Sequence, residues 1–185
     1  MNTGKRFVAG LATVLVALAL ALGIYVGGES RGRHNPEPLL PSEAINRLFA
    51  TRLNNTDGQT QAISQWRGKT LVINFWATWC PPCRQEMPAF SRLQTKHASN
   101  GVQFAGISLD SVENVVHFAK ENQVTYPLLI ADADGSELAR QLGNSQLALP
   151  YTVVFSAGGD VLLTRLGRVS EEELDRLLSK VTISK

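Results

Sequence analysis

The sequence predicts an α/β domain in three layers: a sheet with parallel strands, covered by helices on both faces. Three observations carry that reading. The run KTLVINFWA (Lys69–Ala77) is almost wholly apolar and rich in strand formers, as a central strand buried on both sides should be. Strand-like and helix-like segments then alternate, the pattern of parallel strands joined by crossover helices. The chain closes with two strands at hairpin spacing and one amphipathic helix.

Taken in order, LFATRL (Leu48–Leu53) and TQAIS (Thr60–Ser64) are expected to pair as a hairpin across Asn55–Gly58. Lys69–Ala77 is the central strand. Pro81–Ala98 reads as a helix with prolines in its first turn, where a missing N–H removes no helical bond. Met87, Phe90, Leu93 and Gln94 have helical spacing, and Pro88 is expected to kink the helix. VQFAGISLD (Val102–Asp110) is a second strand. Asp110 and Glu113 have the spacing of a capping box, followed by an apolar face of Val115, Val116, Phe118 and Ala119. PLLIA (Pro127–Ala131) is a short strand, ended by a turn at Asp134-Gly135, with a short helix over Ser136–Leu142. YTVVF (Tyr151–Phe155) and DVLLTRL (Asp160–Leu166) form a hairpin across Ala157-Gly158-Gly159. Ser170 and Glu173 cap a last helix whose core side is Leu174, Leu177, Leu178 and Val181.

The N-terminus reads differently. Phe7–Gly28 holds 22 residues without a charge, behind Lys5 and Arg6. A helix needs about 20 residues to cross a bilayer core. The segment is therefore read as a membrane anchor with its tail inside, the cleaved signal sequence being the other reading. Residues 29–42 carry three prolines and one glycine, directly after Gly27-Gly28, and read as a spacer; His34 lies there as a solvated side chain. The expected organisation is 1–28 anchor or signal, 29–42 linker and 43–185 one folded domain. Beyond residue 42, fourteen basic side chains face fourteen acidic ones, so no basic stripe exists to track nucleic acid.

The chain's two cysteines, Cys80 and Cys83, sit in NFWATWCPPCRQEMP (Asn74–Pro88). A structural disulfide across so short a ring would remove little chain entropy. A zinc site needs four ligands, and His34, His97 and His117 have no paired spacing, so no metal site is expected. Copper(I) on two thiolates beside Met87 stays open as a non-enzyme reading. The favoured reading is a redox pair, because the motif stands between a buried strand and a helix start. There the helix dipole favours a thiolate at Cys80, while Cys83, one turn in, is placed to resolve a mixed disulfide. Pro81 and Pro82 carry no N–H. The Cys80 thiolate is left mainly the Cys83 N–H, which predicts a disulfide that is hard to reduce and a dithiol that is a good reductant.

These residues resemble the thioredoxin superfamily, and within it the membrane-tethered TlpA/ResA-like thiol–disulfide oxidoreductases, over residues 43–183. The resemblance implies a thioredoxin-like fold with an N-terminal β-hairpin, a central insertion near residues 124–142 and one N-terminal transmembrane helix. It implies Cys80 as nucleophile and Cys83 as resolving cysteine, with no cofactor beyond their disulfide. It places Trp79, Pro81, Pro82, Leu149 and Pro150 at the client surface, with Leu149-Pro150 as the superfamily's cis-proline loop. Ordinary core packing is the alternative for Trp79. Asn74 stands where cytosolic thioredoxins carry a buried aspartate, and Glu86 takes over proton exchange with Cys83; a solvated helix glutamate is the alternative. Arg84 is read as solvated.

The implied partners are client proteins with disulfides and a membrane electron donor of the DsbD/CcdA kind. The implied location is the bacterial inner membrane, single pass, with the catalytic domain in the periplasm or otherwise outside the cytoplasm. Cytochrome c biogenesis belongs to some relatives, but Tyr151-Thr152 replaces the glutamate those members place after the cis-proline. A DsbA-type oxidase is the enzymatic alternative. A peroxidase is disfavoured because Ala77 stands where a threonine is needed, and an antioxidant role stays open.

Overall fold

The computed structural model describes residues 40–183. The apolar Phe7–Gly28 segment and most of the spacer, with His34, lie outside the described residues. Among the described residues, no helix is long and apolar enough to cross a membrane.

The first element corrects the sequence reading. Ser42–Ala50 is a helix, α1, that buries Ala44, Leu48 and Phe49. Leu48 and Phe49 therefore belong to a helix rather than to a strand. Leu40 is also buried, so the folded part reaches back into the segment read as linker. The hairpin itself is present and shorter, with β1 (Arg52–Asn55) antiparallel to β2 (Thr60–Ala62). Its turn is closed by Asn55, whose side-chain oxygen accepts from the N–H groups of Asp57 (3.0 Å) and Gln59 (2.9 Å).

The central strand β3 (Thr70–Trp76) is buried at every position. It pairs in parallel with β4 (Val102–Ser108) and antiparallel with β6 (Tyr151–Phe155). The remaining strands are β5 (Leu128–Ile130), parallel to β4, and β7 (Val161–Leu166), antiparallel to β6. The sheet is mixed, in the order β2-β1-β5-β4-β3-β6-β7.

Strand alternation sends Leu71, Ile73 and Phe75 to one face and Val72 and Trp76 to the other. The first face is covered by α1 and α4 (Asp132–Gln141) through Leu48, Phe49, Leu138, Ala139 and Leu142. The second is covered by α2 (Pro81–His97), α3 (Val112–Glu121) and α5 (Glu171–Ile183). Met87, Phe90, Leu93, Val115, Phe118, Leu174 and Leu178 fill it. This is the three-layer arrangement that the alternating pattern predicts. Helix α2 runs on through Pro88, which lies on its exposed side.

Two caps differ from expectation. Ser111, not Asp110, caps α3: its hydroxyl accepts from Asn114 N–H at 3.3 Å. Asp110 is buried and engaged elsewhere. The turn expected at Asp134-Gly135 is instead the first part of α4, because Gly135 allows a close approach that no other residue would. A Cβ at Gly135 would meet Leu109 Cδ2 at 2.4 Å and Ala131 Cβ at 2.8 Å. Gly135→Ala is expected to destabilise the domain by about 1–2 kcal/mol, the overpacking cost outweighing the helix preference for alanine. A denaturant midpoint at or above that of the unaltered protein would show that α4 can move away freely. The cap of α5 matches expectation, with Glu173 N–H on Ser170 Oγ at 3.2 Å.

Candidate active site

The site forms where β3 ends and α2 begins. Cys80 is the N-cap of α2, with Pro81 and Pro82 in the first turn. Its sulfur accepts from Cys83 N–H at 3.3 Å, the donor that the proline pair leaves available. Cys80 and Cys83 form a disulfide with a Cα–Cα distance of 5.3 Å. Cys83 is fully buried, whereas Cys80 keeps a small exposed edge of 4%. Trp79 is 66% exposed, which removes core packing as its role. Pro81 and Arg84 are exposed, and Pro82 is partly buried.

Glu86 lies one turn after Cys83, on the same side of α2, and is 1% exposed. It is therefore not a solvated helix glutamate. Asn74 Nδ2 donates to its Oε1 at 2.9 Å, and Val169 N–H reaches its Oε2 at 3.4 Å. The same Asn74 nitrogen donates to Thr152 Oγ1 at 3.1 Å. Burial pushes the Glu86 carboxyl up to about 7, and the Asn74 bond, the Val169 N–H and the nearby Arg168 charge offset only part of that. An aspartate at position 74 would set a second carboxylate within hydrogen-bond distance of the first, and one of the two would be forced to stay protonated. Asparagine supplies a donor without that charge, and its buried Oδ1 has no partner among the described residues.

Leu149-Pro150 is a cis peptide. Pro150 is buried, and its carbonyl accepts from Gly167 N–H at 2.8 Å. The Leu149 side chain packs on the cluster that holds both cysteines. No hydrogen bond among the described residues engages its backbone N–H or C=O. Those two backbone groups are thus uncommitted among the described residues. Thr152 follows two residues later and is committed to Asn74.

Three participants escaped sequence reasoning. Thr152 could have been found only by aligning β6 against β3, where it sits opposite Asn74. Val169 acts through its backbone and leaves no trace in residue type. Asp110 drew attention, but for capping. Its Oδ2 accepts from Thr78 N–H (3.2 Å) and from the Thr78 hydroxyl, and its Oδ1 from Ser111 N–H (2.7 Å) and Asn114 Nδ2 (2.8 Å). Those bonds hold its carboxyl below the usual range although burial, the largest single influence, acts to raise it. Of the histidines, His97 is buried against Asp175 at 2.7 Å, and His117 is exposed beside Glu121. No group of three or more metal-ligating side chains occurs among the described residues.

Comparison with known proteins places these features in a family. A family model described as Redoxin matches residues 43–178. The thioredoxin-like protein YneN of Bacillus subtilis is 30% identical over 130 residues, spanning 68% of this chain and 73% of that protein. The thiol–disulfide oxidoreductase ResA of Bacillus thuringiensis subsp. konkukian is 28% identical over 131 residues, 70% of this chain and 73% of that one. Among solved structures, a thiol:disulfide interchange protein of the thioredoxin family from Chlorobium tepidum superposes with a TM-score of 0.65 at 28% identity. It covers 80% of this chain and 99% of its own.

Proposed function

The chain belongs to the redoxin family, as a TlpA/ResA-like member with a thioredoxin-like fold, and on that premise we propose how its dithiol works. The protein is a thiol–disulfide oxidoreductase that reduces disulfides of client proteins. The observation that carries this is the Cys80–Cys83 disulfide at the mouth of α2, beside the open backbone of Leu149.

In the reduced protein, the Cys80 thiolate attacks one sulfur of a client disulfide. A mixed disulfide forms, and the client's other sulfur leaves as a thiolate that takes a proton. Glu86 then accepts the Cys83 proton. The Cys83 thiolate attacks Cys80 Sγ and expels the second client thiolate. Two electrons pass to the client, and the protein is left with its disulfide closed. Cys80 serves as nucleophile because it caps the helix and has the exposed edge; Cys83 resolves because no client can reach it. Trp79, Pro81, Pro82, Leu149 and Pro150 form the surface on which the client lies. No cofactor beyond the disulfide takes part.

The direction is reduction. A Cys80 thiolate would have the Cys83 N–H and the helix dipole, and nothing from Pro81 or Pro82. A poorly stabilised thiolate makes the closed disulfide the favoured state and the open dithiol a donor of electrons. The uncharged run Phe7–Gly28 behind Lys5 and Arg6 supports a single-pass anchor in a bacterial inner membrane, with the domain outside the cytoplasm. That compartment oxidises thiols, so a membrane reductase of the DsbD/CcdA kind must return the electrons.

The test is a redox titration against glutathione and dithiothreitol, with insulin reduction as the activity. A potential well below about −200 mV and steady insulin reduction are expected. A potential near about −120 mV, that of a strong oxidant, would reverse the direction. Tight copper(I) retention without insulin reduction would replace the enzyme with a carrier.

A further inference from the structure

The loop between β7 and α5 makes two backbone contacts at the site. Gly167 N–H donates to the Pro150 carbonyl at 2.8 Å, and Val169 N–H donates to Glu86 Oε2 at 3.4 Å. Arg168, the residue between them, is exposed. Its guanidinium donates to Gln85 Oε1 at 3.2 Å, and Gln85 is the neighbour of Glu86 on α2. Arg168 is thus fastened on three sides, once to the cis-proline loop and twice to α2. No surface carboxylate among the described residues pairs with its guanidinium.

The other protein groups around the Glu86 carboxyl carry no charge in the disulfide form. Strand β3 offers the Asn74 amide, and through it the Thr152 hydroxyl of β6. Tyr126, just before β5, feels the Glu86 charge, but burial pushes its hydroxyl up, beyond the range in which it would ionise. Helices α3 and α5 fill the same layer with Val115, Phe118 and Leu174. On α2 itself the neighbours are Cys83 and Gln85. Arg168 is left as the cation whose charge acts on this carboxyl, opposing the effect of burial. The carboxyl stands at about 7. There a small change of field moves a large fraction of the molecules between the two forms.

We propose that Arg168 is a positioning residue for the proton step: seated by the β7–α5 loop against Gln85, its guanidinium supplies the charge that holds the Glu86 carboxylate ready to take the Cys83 proton. This rests on the oxidoreductase reading above and deepens it. The step itself is unchanged. The S–H bond of Cys83 breaks, the proton passes to a Glu86 oxygen, and the electron pair left on sulfur forms the bond to Cys80. Arg168 touches none of these atoms; it sets the fraction of molecules in which the carboxylate is present. Because the guanidinium lies at the surface, water and salt weaken its field, and the effect is a graded one.

The experiment mixes the reduced full chain with a saturating excess of a synthetic peptide that holds one internal disulfide. Closure of Cys80–Cys83 is followed by tryptophan fluorescence as a function of pH. In the unaltered protein the first-order limit should rise through a midpoint of about 7. Arg168→Gln is expected to raise that midpoint by about 0.4 in pH and Arg168→Glu by about 0.8, the size expected of a unit charge acting across several ångströms of water. Near pH 6 the glutamine variant should be about 2.5-fold slower, and the two rates should meet as the pH approaches 9. Arg168→Lys keeps the charge and should keep the midpoint. In about 1 M salt the gap between the unaltered protein and the glutamine variant should close, since the screening length falls to about 3 Å. A rate lowered evenly at every pH, a change confined to the second-order constant at low peptide, or a lysine variant no better than glutamine overturns the role of Arg168 while the oxidoreductase stands. A flat profile in the unaltered protein takes Glu86 out of the proton path and Arg168 with it. No closure at any pH overturns the oxidoreductase as well.

Discussion

Replacing Cys83 by serine or alanine is expected to turn the protein from a catalyst into a trap. Cys80 keeps its place as N-cap of α2 and its exposed edge, so its attack on a client disulfide survives. Release of the client does not, because release needs a second thiolate within bonding distance of Cys80 Sγ. Turnover with insulin should fall by about a thousandfold or more, while one equivalent of client stays linked to the protein. Cys80→Ser should lose turnover as fully but trap nothing, since Cys83 is sealed from solvent. Mass spectrometry of the digested adduct reads the linkage. An adduct at Cys83 in the Cys80→Ser variant would show that the burial order of the two sulfurs does not decide their roles. The two Cys83 variants guard against a folding artefact, because serine buries a hydroxyl at that position and alanine does not.

What the sequence disclosed, and what it hid, follows from the range of the forces involved. The strand at Lys69–Ala77 was legible because burial on both faces demands apolar residues at consecutive positions. The start of α2 was legible because two adjacent prolines suit a first helical turn, where a missing N–H removes no bond. Glu86 was legible through the family resemblance, and helical spacing adds only that it shares a face with Cys83. Helix α1 was missed although Ala44, Ile45, Leu48 and Phe49 have helical spacing, because the proline-rich stretch before it and the turn after it drew the reading toward a hairpin. Asp110 was assigned to a cap, since its residue type suits one. Its actual partner, Thr78, lies 32 residues away and meets it only once β3 and β4 pair. The contact of Asn74 with Thr152 spans 78 residues. Such contacts are set by sheet register, which no local pattern encodes.

Glu86→Gln is expected to change both the activity and the stability of the protein, with opposite signs at neutral pH. The unaltered carboxyl is held up to about 7 mainly by burial, against an ordinary value of 4.5. Between those two values the folded protein keeps a proton that the unfolded chain has released, so stability falls as pH rises through that window and levels off above about 7. A shift of that size corresponds to about 3 kcal/mol. Glutamine titrates nowhere in the range. The stability of the variant relative to the unaltered oxidised protein should therefore climb by about 3 kcal/mol between pH 4 and pH 8, most of it between about 4.5 and 7. Glutamine can be accommodated: its amide can donate to Asn74 Oδ1, the buried acceptor that is without a partner among the described residues, once the Asn74 amide turns over. Activity should move the other way. Resolution by Cys83 loses its base, the rise in rate near pH 7 should vanish from the profile, and the rate at pH 7 should drop by about a hundredfold. A merely structural glutamate would alter the unfolding curve and leave the shape of the pH–rate profile in place. Denaturant titration at several pH values and single-turnover release of a trapped client separate the two. A release rate that still rises near pH 7 in the variant would take Glu86 out of the proton path and leave Cys83 to ionise unaided.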